Sequence, residues 1–228
     1  MKGAIDHLMW ACSDLESGID AIESMTGMAA TPGGPHPGFG TRNALLDLGN
    51  FTYLEIIAPD PEQSLEGNLG REFAALDTPY LRTWAIRVED LMASRDILQS
   101  LGFDTRGPSA MSRALPGGEL ISWELLFLSR RDVAGAQRNV AGAERNVTGA
   151  GREFAGAALP FFIDWKDSPH PCTSLEPGCE LSGLRIATAQ TEAIERLLAA
   201  FELDVEVVVG TDDRLEGLLS TPRGHVVL

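Results

Sequence analysis

The chain has 228 residues and a mass of 24.5 kDa, enough for one large domain or two small ones with a real core. With 44% hydrophobic and 22% charged residues it has the composition of an ordinary globular protein, and no apolar run reaches the roughly 18 residues of a membrane-crossing helix. Eighteen Lys and Arg against 33 Asp and Glu leave a net charge of -15, a field that repels phosphate backbones and argues against a nucleic-acid partner.

Met1-Lys2-Gly3 runs at once into the apolar stretch Ile5 to Cys12, without the hydrophobic region and cleavage site of a signal peptide, so a cytoplasmic location is expected. That first stretch is apolar on both faces, as a strand covered on both sides would be. Ser13 or Asp14 can then cap a helix whose apolar stripe is Leu15, Ile19, Ile22 and Met25, ended by Gly27. A Gly- and Pro-rich loop or short strand, Thr31 to Gly40, leads to strands at Asn43 to Leu48 and Thr52 to Ala58, joined by a tight turn at Gly49-Asn50.

The same order recurs from residue 81. Leu81 to Val88 predicts a strand, Glu89-Asp90-Leu91 opens a helix, and Gly102 ends it. Asp14-Leu15 aligns with Asp90-Leu91, which sets His7 opposite Thr83. A turn at Pro116-Gly117-Gly118, a strand at Leu120 to Leu128 and a closing strand at Leu159 to Trp165 complete the unit. A third, shorter copy is expected from Leu181, with a strand at Leu184 to Ala187, a helix at Thr191 to Phe201 and strands at Val205 to Val209, Leu215 to Ser220 and His225 to Leu228.

Self-similarity at this period predicts an α+β fold of repeated βαβββ modules. Two modules, at about 4–60 and 81–166, would form a unit of residues 1–176, with the third appended at 180–228. The third is too small to stand alone, so it should pack on the first unit or on a second subunit of a homodimer. Between the strands of module two, residues 132–158 carry a seven-residue repeat marked by Arg138, Arg145 and Arg152, an insertion that a surface connection tolerates at little entropic cost.

Cys12, Cys172 and Cys179 are spaced for neither a disulfide framework nor a zinc knuckle, and Cys12 is expected to be a buried, inert thiol. Trp10, Trp84, Trp123 and Trp165 all fall on predicted strands, in the core or lining a cavity. His7 and Glu55 are polar residues inside apolar runs on the first and last strands of module one. A buried carboxylate needs a cation, a donor or a proton, so the pair predicts either a divalent metal site or a His-Glu hydrogen bond. The Gly-rich loop lacks dinucleotide-site spacing, and no nucleophile elbow or reactive Cys-His pairing is present.

The runs Ile5-Asp6-His7-Leu8, Gly34 to Leu46, Tyr53 to Asp60 and Pro160 to Trp165 together resemble the glyoxalase-like branch of the vicinal oxygen chelate superfamily, over most of residues 4 to 172. The resemblance implies paired modules curled into an incomplete mixed-sheet barrel around a divalent metal, Mg, Mn, Fe or Zn, held by residues from the first and last strand of each module. His7 and Glu55 would be ligands from module one. Asp164, with Glu124 as second candidate, would supply module two, where Thr83 departs from the pattern. The implied activity is isomerisation, ring cleavage, epimerisation or addition on a small oxygen-bearing substrate. Glu55 or His170 would then move the proton, and His36, Arg42 and Asn43 would bind substrate. Relatives of the bleomycin-resistance type, which bind small molecules without turnover, provide the second expectation.

Overall fold

A computed structural model describes residues 1–114, 120–130 and 157–228. The Pro116-Gly117-Gly118 turn and all of the seven-residue repeat lie outside the described residues. Module one runs β1 (Ala4–Ala11), α1 (Leu15–Thr26), β2 (Thr31–His36), β3 (Thr41–Asp47) and β4 (Tyr53–Pro59). A short helix α2 (Leu69–Phe73) leads to module two: β5 (Tyr80–Arg87), α3 (Leu91–Ser100), β6 (Phe103–Ala114), β7 (Leu120–Arg130) and β8 (Phe161–Asp164). The rest is β9 (Glu180–Thr188), α4 (Thr191–Ala200), β10 (Glu206–Val209), β11 (Arg214–Thr221) and β12 (Gly224–Val227).

Helices α1 and α3 both start on a capping aspartate. Asp14 accepts a hydrogen bond from the Ser17 N–H, and Asp90 accepts from Met92 and Ala93, which satisfies otherwise orphaned donors of each first turn. Gly27, at φ 80°, closes α1 in the left-handed conformation that glycine adopts without strain.

Eight strands form one sheet in the order β2-β3-β4-β1-β5-β8-β7-β6. Each module contributes four adjacent strands in the same arrangement: β1 pairs parallel with β4, β5 pairs parallel with β8, and the antiparallel β1–β5 pair joins the modules. This is the repeated βαβββ architecture that the periodicity predicts. The Pro-rich β2 sits at the sheet edge, where missing donors cost least.

Alternation along the strands splits the interior into two cores. On one face Leu8, Trp10, Leu54, Ile56, Trp84, Ile86 and Phe162 pack beneath the helices and the second sheet. On the other, Met9, Ala11, Tyr53, Ile57, Leu125, Phe161, Ile163 and Trp165 form a second apolar cluster. β1 is therefore covered on both sides, as its composition demands.

The segment from β9 to β12 repeats the element order but not the pairing. Its sheet runs β10-β9-β11-β12, so the first strand lies between the second and third instead of beside the last. Element order leaves this choice open: the short connection after α4 returns β10 parallel to β9 as a simple crossover. The sheet packs against the first one directly. A Cβ on Gly217 would stand 2.9 Å from Leu8 Cδ1, the Gly3 N–H donates to Phe201 O at 2.9 Å, and the Phe201 and Phe162 rings lie 4.7 Å apart.

Because Phe201 is fully buried between the two layers, Phe201→Ala should cost about 3–5 kcal/mol in urea denaturation. A chain ending at residue 176 should aggregate, since Leu8, Trp84 and Ile86 would lose their cover; a soluble, monomeric, folded truncation would contradict this packing.

Candidate functional site

The concave face of the large sheet encloses a cavity of about 90 Å³. Its walls differ by module. Module one contributes His7 and Met9 from β1, His36 from β2, Thr41, Asn43 and Leu45 from β3, and Tyr53, Glu55 and Ile57 from β4. Module two contributes Met111, Trp123, Leu125, Phe161 and Ile163, with Trp165 beyond β8 and a single charged group, Arg113. One wall is polar and titratable, and the facing one is almost wholly apolar.

Glu55 is the centre of the polar wall. Asn43 Nδ2 donates to its Oε1 at 2.7 Å, His7 Nε2 stands 3.8 Å from Oε2, and His36 Nε2 stands 3.6 Å from Oε1. Asn43 is itself fixed, because its Oδ1 accepts the Gly34 N–H at 3.0 Å. A side chain at Gly33 would collide with that same oxygen, so glycine is required for the approach of β2. His36 Nδ1 lies 3.0 Å from Thr41 Oγ1, and burial pushes its pKa down, with the Glu55 carboxylate opposing.

His7 is oriented from behind by a residue that the sequence reading passed over. Its Nδ1 lies 2.7 Å from Asp6 Oδ1, which assigns the ring proton to that nitrogen and leaves Nε2 facing Glu55. Asp6 is fully buried and also accepts from Trp165 Nε1 at 3.0 Å, with His170 Nε2 at 3.1 Å and Arg87 Nη1 at 3.5 Å. Burial alone would raise its pKa, but the hydrogen bonds of His170 and His7 outweigh that cost and hold the carboxyl well below the usual range. An acid directly before a histidine in an apolar strand, itself with no room for water, is the signal that could have found it.

The expected residues separate into three groups. His7, Glu55, His36 and Asn43 converge on the cavity. His170 does not line it: Nε2 faces Asp6, and Nδ1 accepts the Cys172 N–H at 3.3 Å, so the ring supports Asp6 from outside. Arg42 alternates with Thr41 and Asn43 and therefore points away, its Nη2 donating to both carboxylate oxygens of Glu16 of α1 at 2.8 and 2.9 Å.

Asp164 also falls on the wrong face. Phe161, Ile163 and Trp165 face the cavity, while Asp164 shares parity with Phe162 and is held by Lys166 Nζ at 2.8 Å. Glu124, its partner across β7–β8, binds the same ammonium at 2.7 Å. The register shows the true counterpart of Glu55: Met9 is beside Glu55, and Ala85, matching Met9 in module two, is beside Phe161. Thr83, matching His7, donates its hydroxyl to Leu159 O at 3.1 Å. Module two thus offers a turned hydroxyl and a phenyl ring where a chelate needs two donors. No group of three or more His, Cys, Asp or Glu among the described residues is arranged to hold a metal ion, so the family's metal does not fit this donor set.

The thiols stay out of the chemistry. Burial pushes Cys12 up to about 11 and raises Cys172 and Cys179 as well, which disfavours thiolate in each.

Asp6→Asn should destabilise the protein by about 3 kcal/mol at neutral pH, because it leaves Arg87 and two histidines around a neutral amide. A depressed carboxyl pKa contributes stability above the unfolded value of about 3.9 and loses it below. The difference in urea midpoint between wild type and variant should therefore be constant above about pH 5 and shrink as the pH falls below 4.

The family model for the glyoxalase-like domain matches residues 5–201. No curated protein sequence matches the chain. Among solved structures, a hypothetical protein from Staphylococcus aureus is similar at 17% identity and a TM-score of 0.59, covering 100% of this chain and 84% of that one. Methylmalonyl-CoA epimerase from Mycobacterium tuberculosis is similar at 19% identity and a TM-score of 0.44, covering 75% and 91%. The Streptomyces coelicolor epimerase in complex with 2-nitronate-propionyl-CoA gives 18% and 0.43, covering 70% and 95%. With a family model spanning nearly the whole of two modules whose strands pair as βαβββ repeats, the chain belongs to the glyoxalase-like domain family.

Proposed function

We propose that the chain is a glyoxalase-like enzyme that moves a proton on a small oxygen-bearing molecule held in the cavity, with Glu55 and His7 as the proton-handling pair. The observation that carries this reading is the facing of His7 Nε2 and the Glu55 carboxylate at 3.8 Å, each fixed from behind, by Asp6 and Asn43. Two held titratable groups that face each other across from a largely apolar wall are what acid-base chemistry needs.

In this reading the Glu55 carboxylate takes a proton from a carbon next to a carbonyl, and the electron pair of the broken C–H bond moves onto the carbonyl oxygen. His7 in its protonated form donates Nε2–H to that oxygen, while Asp6 stabilises the imidazolium through Nδ1–H. Return of the proton to either face of the carbon, or to a neighbouring atom, gives epimerisation or isomerisation. The apolar wall of Trp123, Leu125, Phe161 and Trp165 excludes water and strengthens these interactions.

The metal-dependent form of the reaction expected from the superfamily has less support, because the module-two positions are Thr83 and Phe161. The same departure favours a second reading, in which the cavity holds its ligand without turnover.

Proton abstraction is read by ¹H NMR as exchange of C–H for C–D in D₂O, over a panel of small 2-oxo acids and α-hydroxyketones. The expected result is exchange above the buffer rate for at least one compound, lowered about 100-fold or more by Glu55→Gln, and unchanged by EDTA. Binding without exchange across the panel would favour the second reading. Loss of exchange with EDTA and its return with a divalent cation would overturn the metal-free form of this reading.

A further inference from the structure

Arg113 is the one cation lining the cavity among the described residues, in a chain with nearly twice as many acids as bases. Several arginines elsewhere are neutralised: Arg42 by Glu16, Arg82 by Glu72, Arg87 by Asp6, Arg95 by Asp96 and Arg185 by Glu206 and Glu216. Arg113 has no carboxylate within ion-pair distance among the described residues. One hydrogen bond anchors it, from Nη1 to Gly33 O at 3.3 Å, which ties β6 to β2 where the two edges of the curled sheet approach each other. The remaining guanidinium donors are left for something else.

The surroundings narrow what that is. Arg113 shares β6 with Met111, and the cavity beside it is lined by Trp123, Trp165, Phe39 and Leu69. Its charge is felt at His36 and Tyr53 on the opposite wall, so it lies within the field of the polar end without pairing with Glu55. A half-buried guanidinium between apolar walls is poorly screened, and its local attraction for an anion overrides the weak, salt-screened repulsion of distant surface acids. The planar fork suits a carboxylate, which it can hold through two parallel N–H···O bonds.

We propose that Arg113 is the anion-binding residue of the cavity and that the ligand is an organic carboxylate with a compact apolar body. This rests on the reading of the cavity as the ligand site, and it moves to β6 the role that the sequence suggests for Arg42. The anionic group docks at Arg113, the apolar body lies against the two tryptophans, and the oxygen-bearing carbon reaches Glu55 and His7. Specificity for acids over neutral analogues then resides in a single side chain of module two.

Phenylacetate and its neutral isostere phenylacetamide test this directly, by calorimetry and by tryptophan fluorescence of the full-length protein. Wild type should bind phenylacetate at least tenfold more tightly than phenylacetamide, the range of a charged hydrogen-bonded pair. Arg113→Gln should abolish that preference while keeping the amide's affinity, which also shows that the variant is folded. Arg113→Lys should retain part of the preference, and Arg42→Gln all of it. Equal affinity of the two probes in wild type, or a preference that survives Arg113→Gln, would overturn the assignment and leave the cavity as a binding site. Failure of both probes to bind would overturn the cavity reading and this inference together.

Discussion

The Asp6 carboxylate is a full negative charge with no access to water, and the geometry of the site depends on how it is compensated. Desolvation of an unpaired carboxylate costs several kcal/mol. Here the cost is offset by contacts from His7 on its own strand, Arg87 on β5, and Trp165 and His170 beyond β8. These groups come from both modules, so the anion ties the antiparallel seam between them to the chain leaving the barrel. It also sets the tautomer of His7. A ring that merely packed against Tyr53, 4.7 Å away, could flip; one that donates to a buried carboxylate has a single orientation.

From that seam the two faces of the sheet diverge in purpose. The outer face is filled: helices α1 and α3 and the second sheet close over it, and glycine at 217 allows the layers to touch. The inner face stays partly open because strand curvature separates the walls. The second sheet therefore supports the site without entering it, and its different strand order carries no penalty, since its task is to cover apolar surface.

The two modules share a backbone plan but have diverged in what they present inward. In module one the first and last strands carry His7 and Glu55; in module two the matched positions carry Thr83 and Phe161. A site that could have been a symmetric chelate is instead a polar wall facing an aromatic one, with Phe161 edge-on to His7 at 5.3 Å. Arg113 is the exception on the apolar side, and it comes from β6, a strand that supplies no ligand in the expected pattern.

Much of the architecture was legible because it is local. Capping aspartates, glycine stops, apolar stripes and their recurrence determine βαβββ units wherever they occur, and an isolated histidine and glutamate in apolar strands mark one wall of the site. What residues alone left open is governed by registry and by distance. A strand's side chains alternate with period two, so a shift of three residues, an odd number, in aligning β8 put Asp164 in place of Phe161 and turned the expected ligand to the far face. The same parity sends Arg42 outward to Glu16 while Asn43 enters the cavity. Asp6 and Arg113 gain their roles only when Trp165, His170 and Gly33 arrive from remote parts of the chain. By itself the sequence determined the elements, their repetition and the inward His7 and Glu55, because hydrophobic period and capping act over a few residues. Only the tertiary structure decided which face each strand presents, which charges are compensated and which cation remains free for a ligand, because those depend on pairing between segments remote in the chain, 80 residues apart for Arg113 and Gly33 and 164 for Asp6 and His170.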